Sequence, residues 1–282
     1  MIRIVTDSMS DIAQEEAAAW GIEVLPLVVR FGQEEYLDGV ELSLEDFYVR
    51  LRQVKELPKT SQVPPDRFCD AFERNLLDGD EVLCITGSSK LSGTYQSAVL
   101  AREMVSAPER VHLVDSMSAS LGEAQLVLAA LSEREVYGSA AALAAQLEIL
   151  KARSRLVGKA EELKYLVMGG RLNAAVGAIG ATLHIKPMLR LEDGVIHQAG
   201  LCRSQAKVHQ WYVERLQECP PDPAHPLILS GASCDREVQQ LREALEHGGL
   251  ALPPRVLLRQ IGTVIGTYTG PGLTAMSWVA KA

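Results

Sequence analysis

Val82 to Ala98, VLCITGSSKLSGTYQSA, is the stretch whose residue types and spacing point most directly at chemistry: a short apolar run empties into a loop of serine, glycine and threonine and then into a helical pattern. Loops at the carboxyl ends of strands in α/β sheets are where ligands sit, and a helix N-terminus adds unpaired N–H groups and the positive end of a dipole. The hydroxyls of Ser88, Ser89, Ser92 and Thr94 offer donors to an anion, and Gly87 and Gly93 let the backbone approach it. The same residues equally suit an ordinary helix cap.

Thr60 and Ser61 lie in LPKTSQVPP, where three prolines hold the chain extended. They are either a second set of donors facing the Ser92 loop or caps for the next helix. Asp7 and Asp115 each close an apolar run and precede a serine; strand-end carboxylates serve as an acid and base pair or simply cap the turns that follow. Arg171 follows two glycines, which leave a guanidinium uncrowded for anion recognition, although a surface arginine after a turn fits the same pattern. The P-loop, G-x-G-x-x-G after a strand, H-E-x-x-H and G-x-S-x-G are all missing, and the six histidines show no metal-binding spacing, so no metal is expected.

The elements that must position these residues alternate. Apolar runs at Ile2–Val5, Ile22–Phe31, Glu81–Thr86 and Val111–Val114 are separated by helical patterns, among them 44–51 behind a Ser43/Asp46 capping box, 65–77 and 95–105. Repeated β-α-β order implies a mainly parallel sheet covered by helices. Two alanine- and leucine-rich helices, Ala119–Glu133 and Ser139–Lys151, close this half. The texture then changes at Arg153, and 282 residues are long for one core, so two domains are expected, 1–155 and 156–282. In the second, Asp193-Gly194 is a hairpin-turn signal, helices run from Ser204 and Asp235 on either side of a strand at Leu227–Leu229, and a further apolar run, Val256–Ile261, leads into the glycine-rich tail GTVIGTYTGPGLTAM.

A net charge of −8 without basic runs argues against nucleic acid or anionic membrane as partner. Five scattered cysteines with no C-x-x-C pair suit reduced, mostly buried thiols. The start MIRIVTDS has no signal-peptide layout and the longest weakly polar stretch, Ala174 to Ile185, is too short to span a bilayer, so stable membrane insertion is not expected and the cytoplasm is the expected compartment.

IVTDS, PLVVRFG, KTSQ, ITGSSKLSGTYQSA, VDSMSAS, MGGRLN with IKPML, and GTYTGPG follow one another in an order that resembles the DegV family over the whole chain. The resemblance implies an α/β protein of two domains, each a mainly parallel sheet flanked by helices, with one long-chain fatty acid in the cleft between them. It implies a carrier without catalysis or cofactor of its own, presenting the acyl carboxylate to a separate, DhaL-like ATP-binding fatty acid kinase subunit that makes acyl phosphate. Thr60 and Ser92 match the family's carboxylate-binding hydroxyls; Ser61, Gly93, Thr94 and Tyr268 adjoin them, and Arg171 matches an arginine tied to the kinase step. Where many relatives have histidine in GTHTGPG this chain has Tyr268, whose phenol donates a hydrogen bond but carries no positive charge at neutral pH. Gly177, Ile179, Gly180 and Leu183 are candidates for the wall of the acyl tunnel, and core packing explains them as well.

Burying about fifteen methylenes at ~0.8 kcal/mol each gains roughly 12 kcal/mol before the cost of association. Hydroxyl and N–H donors then chiefly offset the desolvation of the carboxylate. Two other classes compete: an esterase or acyl transferase with Ser92 or Ser89 as nucleophile, which needs a general base, and a lipid-sensing regulatory module with no kinase partner.

Overall fold

The computed structural model describes residues 1–54, 56–172 and 185–282, and two α/β halves are built around separate sheets. In the first, β1 (Ile2–Asp7) leads through a 3-10 turn (Ser8–Ser10) to α1 (Gln14–Trp20), which ends where Gly21 takes a left-handed φ of 65°. The apolar run expected as one strand over 22–31 divides at Pro26 into β2 (Ile22–Leu25) and β3 (Val28–Phe31), since proline has no N–H to give a ladder. Then come β4 (Glu34–Leu37), α2 (Leu44–Gln53, capped by Ser43), β5 (Lys59–Ser61), α3 (Pro65–Asn75), β6 (Glu81–Thr86), α4 (Thr94–Arg102) and β7 (Val111–Asp115). Strands β2-β1-β6-β7 form a parallel sheet. A small antiparallel sheet, β4-β3-β5, stands beside it and pairs Thr60 with Val29.

Helices α5 (Leu121–Glu133) and α6 (Ala140–Lys151) follow. α5 is buried on every side from Leu121 to Ala130, as a helix apolar all round must be, and packs against strands of both sheets. Two polar residues bolt it in place. Glu123 accepts from the Thr6 hydroxyl on β1 at 3.1 Å, and the Gln125 amide donates to Pro226 O and Ser277 O at 2.8 and 3.0 Å in the second half.

The second half comprises β8 (Ser154–Lys159), α7 (Lys164–Met168), β9 (Lys186–Glu192), β10 (Val195–Cys202), α8 (Gln205–Glu218), β11 (Leu227–Gly231), α9 (Asp235–His247), β12 (Val256–Gln260), α10 (Thr263–Thr269) and β13 (Thr274–Val279). Its sheet runs β10-β9-β8-β13-β11-β12. The expectation of a mainly parallel sheet fails here: only β11 and β12 are parallel, and the other four pairings are antiparallel. Two features cause this. Asp193-Gly194, with φ of 50° and 79°, turns β9 directly into β10, and the C-terminal segment returns as β13 to the middle of the sheet. Every residue of β13 is buried.

Candidate functional site

The hydroxyl-bearing segments converge because three short elements meet at one end of an apolar cavity. Pairing with β3 fixes β5 and holds Thr60 against α10, where its Oγ1 lies 2.6 Å from the Tyr268 hydroxyl. Ser92, in the loop between β6 and α4, sits with its Oγ 2.9 Å from Thr94 Oγ1 and accepts the Thr94 N–H at 3.2 Å. Arg171 follows α7 and bridges the two: its guanidinium lies 4.2 Å from the centre of the Tyr268 ring, Nη1 donates to Gly169 O at 2.6 Å, and Nε and Nη2 both donate to Leu91 O at 3.3 Å. Gly169 makes that stack possible, since a Cβ there would run into the Tyr268 ring.

These four side chains line a cavity of about 110 Å³ whose other walls are mostly apolar, with Ser120, Arg190 and Thr269 the polar exceptions. Leu156, Gly158, Leu189, Leu191 and Ala275 contribute from the second sheet, Val264 and Ile265 from α10, and Met9, Leu27 and Ala119 from the first half. The cavity is thus a cleft between the halves. An ionised head group at the hydroxyl end meets donors and a cation, and a chain along the remainder meets hydrocarbon.

Several expected site residues do not themselves line the cavity, although Gly93 and Thr94 adjoin Ser92. Ser61 is exposed and absent from the cavity wall, because successive residues of a strand face opposite ways and Thr60 takes the inward position. Thr94 is fully buried in the first turn of α4. Gly93 serves packing: a Cβ there would collide with Gln62 Oε1, whose amide reaches over to donate to Ser97 at 2.7 Å. Ser88 is buried and donates to Gly194 O at 2.8 Å, tying the loop to the β9–β10 hairpin, while Ser89 is exposed. Gly177, Ile179, Gly180 and Leu183 lie outside the described residues. Among the described residues, neither an imidazole nor a carboxylate is hydrogen-bonded to Ser92, which is what a serine nucleophile would need.

Asp7 and Asp115 cap. Asp7 accepts from Met9 N at 2.9 Å and Gly87 N at 3.0 Å, and Asp115 accepts from Met117 N at 2.9 Å and Ser89 N at 3.2 Å. Burial pushes the Asp7 carboxyl up to about 6 against the pull of its two N–H partners. No motif or spacing marks a further pair, Asp11 and Asp38, which hold the start of α10. Asp38 accepts from Thr263 Oγ1 at 2.6 Å and Thr263 N at 3.3 Å, and Asp11 accepts from Gly262 N at 2.9 Å and from the Ser120 hydroxyl. Burial raises both, Asp11 to about 8. Among the described residues no three His, Cys, Asp or Glu side chains are grouped to hold a metal, and no helix is long and apolar enough to cross a membrane.

Comparison with known proteins bears on this cleft. The model of an uncharacterised protein family, the DegV family, matches residues 1–281. A DegV domain-containing protein of Caldanaerobacter subterraneus is 35% identical over 280 residues, covering 99% of each chain. Among solved structures, a fatty-acid-binding DegV family protein from Thermus thermophilus superposes with a TM-score of 0.89 at 31% identity, covering 99% of both chains. A stearic-acid-binding protein from Eubacterium ventriosum superposes with a TM-score of 0.87 at 26% identity, covering 100% of this chain and 99% of the other.

Proposed function

The chain belongs to the DegV family, and from that premise we propose that it binds one long-chain fatty acid in the cleft, its carboxylate at Thr60, Ser92 and Tyr268 and its tail along the apolar walls. The observation that carries this reading is a mostly apolar cavity between the halves on whose wall Thr60, Ser92, Arg171 and Tyr268 all stand, with Tyr268 in contact with both Thr60 and Arg171. Similar chains from Thermus thermophilus and Eubacterium ventriosum that bind fatty acids support it. Tail burial supplies the affinity; the hydroxyls, each able to donate or accept, offset the desolvation of the head group and orient it.

The same reading makes the protein a carrier with no reaction of its own. A separate DhaL-like, ATP-binding kinase subunit phosphorylates the acyl carboxylate, in the cytoplasm, and no cofactor is used. Arg171 lies beside the hydroxyl end, so its cation is placed to meet charge added there when the carboxylate becomes an acyl phosphate. The working division of the chain, 1–155 for the head-group loops and 156–282 for much of the acyl wall, has the second sheet starting at Ser154. Ligand state is tested by native mass spectrometry of the purified protein, followed by organic extraction and lipid analysis. One fatty acid per chain is expected; a bare-protein mass that stays unchanged after incubation with free fatty acids would overturn the reading. Co-purification with a DhaL-like kinase domain tests the carrier role, and recovery of none counts against it.

A further inference from the structure

Ser92 borders the cavity, but the turn that carries it is anchored at Ser88. Leu91 N and Ser92 N both donate to Ser88 O at 3.0 Å, so a shift of the Ser88 peptide carries the Ser92 hydroxyl with it. Ser88 itself is fully buried and absent from the cavity wall. Its Oγ accepts the Lys90 N–H at 3.2 Å and donates to Gly194 O at 2.8 Å, and Lys90 Nζ donates to Asp193 O at 2.8 Å. Both carbonyls belong to the tip of the β9–β10 hairpin, in the other half. Glu192 pairs with Val195 across the turn, which leaves the Asp193 and Gly194 carbonyls outside the ladder and available. The approach is close enough to require glycine: at a φ of 79°, a Cβ on Gly194 would lie 2.6 Å from Ser88 Oγ and 2.9 Å from Met117 Cε.

We propose that the β9–β10 hairpin is the latch that positions Ser92, and that Ser88 is the positioning residue through which it acts. This rests on the fatty-acid reading above. A loop hydroxyl that wanders must be ordered when the carboxylate arrives, and that ordering subtracts from affinity; a loop already held escapes the loss. Within its own half the loop has Ser88 N donating to Ser118 O at 2.7 Å and Ser89 N donating to Asp115 at 3.2 Å. The second half adds the two side-chain bonds to the hairpin tip and the Arg171 contacts to Leu91 O. Ser92 is thus set by contact between the halves. Thr60 and Tyr268, on β5 and α10, have no hydrogen bond to the hairpin among the described residues, so the latch acts on one hydroxyl of the head-group site and spares the other two.

The test is a double-mutant cycle read as affinity for palmitic acid by titration calorimetry. Ser88→Ala alone is expected to weaken binding roughly fivefold, through loss of order at Ser92. In a Ser92→Ala background it is expected to cause no further loss, because the hydroxyl it positions is gone. A residue that only supports the fold would weaken binding by the same factor in both backgrounds. Equal losses, or a Ser88→Ala protein that binds like the parent, would overturn the latch and leave the fatty-acid reading standing. If Ser88→Ala fails to fold, Lys90→Met takes its place in the cycle. That side chain is exposed, and the change keeps its hydrocarbon stem and removes the bond to Asp193 O; a loss of roughly threefold that vanishes beside Ser92→Ala is expected. A parent protein that takes up no palmitic acid would overturn the fatty-acid reading, and a Ser92→Ala protein that binds like the parent would overturn its head-group placement. Either result takes the latch with it and is visible before the cycle is closed.

Discussion

Two sets of polar groups meet α10, one at each end, and they differ in how freely they can change partners. At its C-terminal end Tyr268 joins Thr60, with Ser92 across the cavity: hydroxyls on an open wall, bonded to one another. At its N-terminal end Asp38 and Asp11 hold Thr263 and Gly262: aspartyl side chains, Asp38 buried and Asp11 half-buried, committed to backbone and hydroxyl donors. A hydroxyl can turn from one partner to another at little cost, while a buried carboxylate that loses its donors cannot. The first set suits an anion that comes and goes, and the second suits a fixed clasp between the halves.

The largest expected effect comes from breaking the clasp. Asp38→Ala leaves the Thr263 N–H and hydroxyl without their acceptor, a loss on the order of 3 kcal/mol for two buried donors. Calorimetry should show a melting temperature lower by about 6–12 °C. Asp38→Asn, which keeps an acceptor oxygen, should recover much of it. If Asp38→Ala melts with the parent, α10 is held by something other than the clasp. Thr60→Val and Ser92→Ala should do the reverse, weakening fatty-acid binding by roughly tenfold each, about 1.4 kcal/mol, with the ligand-free protein melting nearly unchanged. Affinity that survives both changes would move the head group away from the hydroxyl end.

Acidity separates the two sets next. An unfolded aspartic acid titrates near its ordinary 3.8, whereas burial raises Asp7 to about 6 and Asp11 to about 8 in the native protein. The native state therefore holds protons that the unfolded state has released. Their contribution to stability is complete below pH 3.8 and is lost as pH rises, through about 6 for Asp7 and through about 8 for Asp11. Melting temperature should fall by several degrees, on the order of 2–3 kcal/mol, between about pH 6 and 8. Asp11→Asn should flatten that slope; a slope that persists unchanged would assign it to another group.

Local signals carried much of this architecture. The strand Glu81–Thr86, the Ser43 cap and the Asp193-Gly194 turn all depend on neighbours within a few residues, and each is where the sequence places it. Tertiary placement was less legible. α10 reads TVIGTYT, β-branched residues and a glycine that oppose a helix, and it forms because packing against α2 and α7 overrides propensity. β13 follows a glycine-rich turn and completes its sheet only by pairing with β8 and β11. The Asp11–Gly262 and Asp38–Thr263 contacts span 251 and 225 positions, beyond any spacing argument. Thr60 and Ser61 were equivalent as letters; the pairing of β5 with β3 decides which of them faces the cavity.

Tyr268 sharpens the comparison with the smallest expected effect. Tyr268→Phe removes one hydroxyl but leaves the ring on which Arg171 stacks and frees Thr60 Oγ1 to donate to the ligand. Affinity should drop only about two- to fivefold, or ~0.5–1 kcal/mol. Tyr268→His asks a different question, since it installs a group that can become positive. Binding to that variant should tighten as pH falls, but the Arg171 guanidinium, 4.2 Å from the present ring, opposes a second cation and should push the transition below the ordinary histidine value of about 6.5. Titration calorimetry from pH 5 to 8, a range chosen to bracket that value at roughly 6.5, should then find a pH-dependent variant. The same tightening in the Tyr268→Phe protein would place the titrating group elsewhere. A variant as insensitive to pH as Tyr268→Phe would mean that Arg171 keeps any second charge from forming at this end of the cleft.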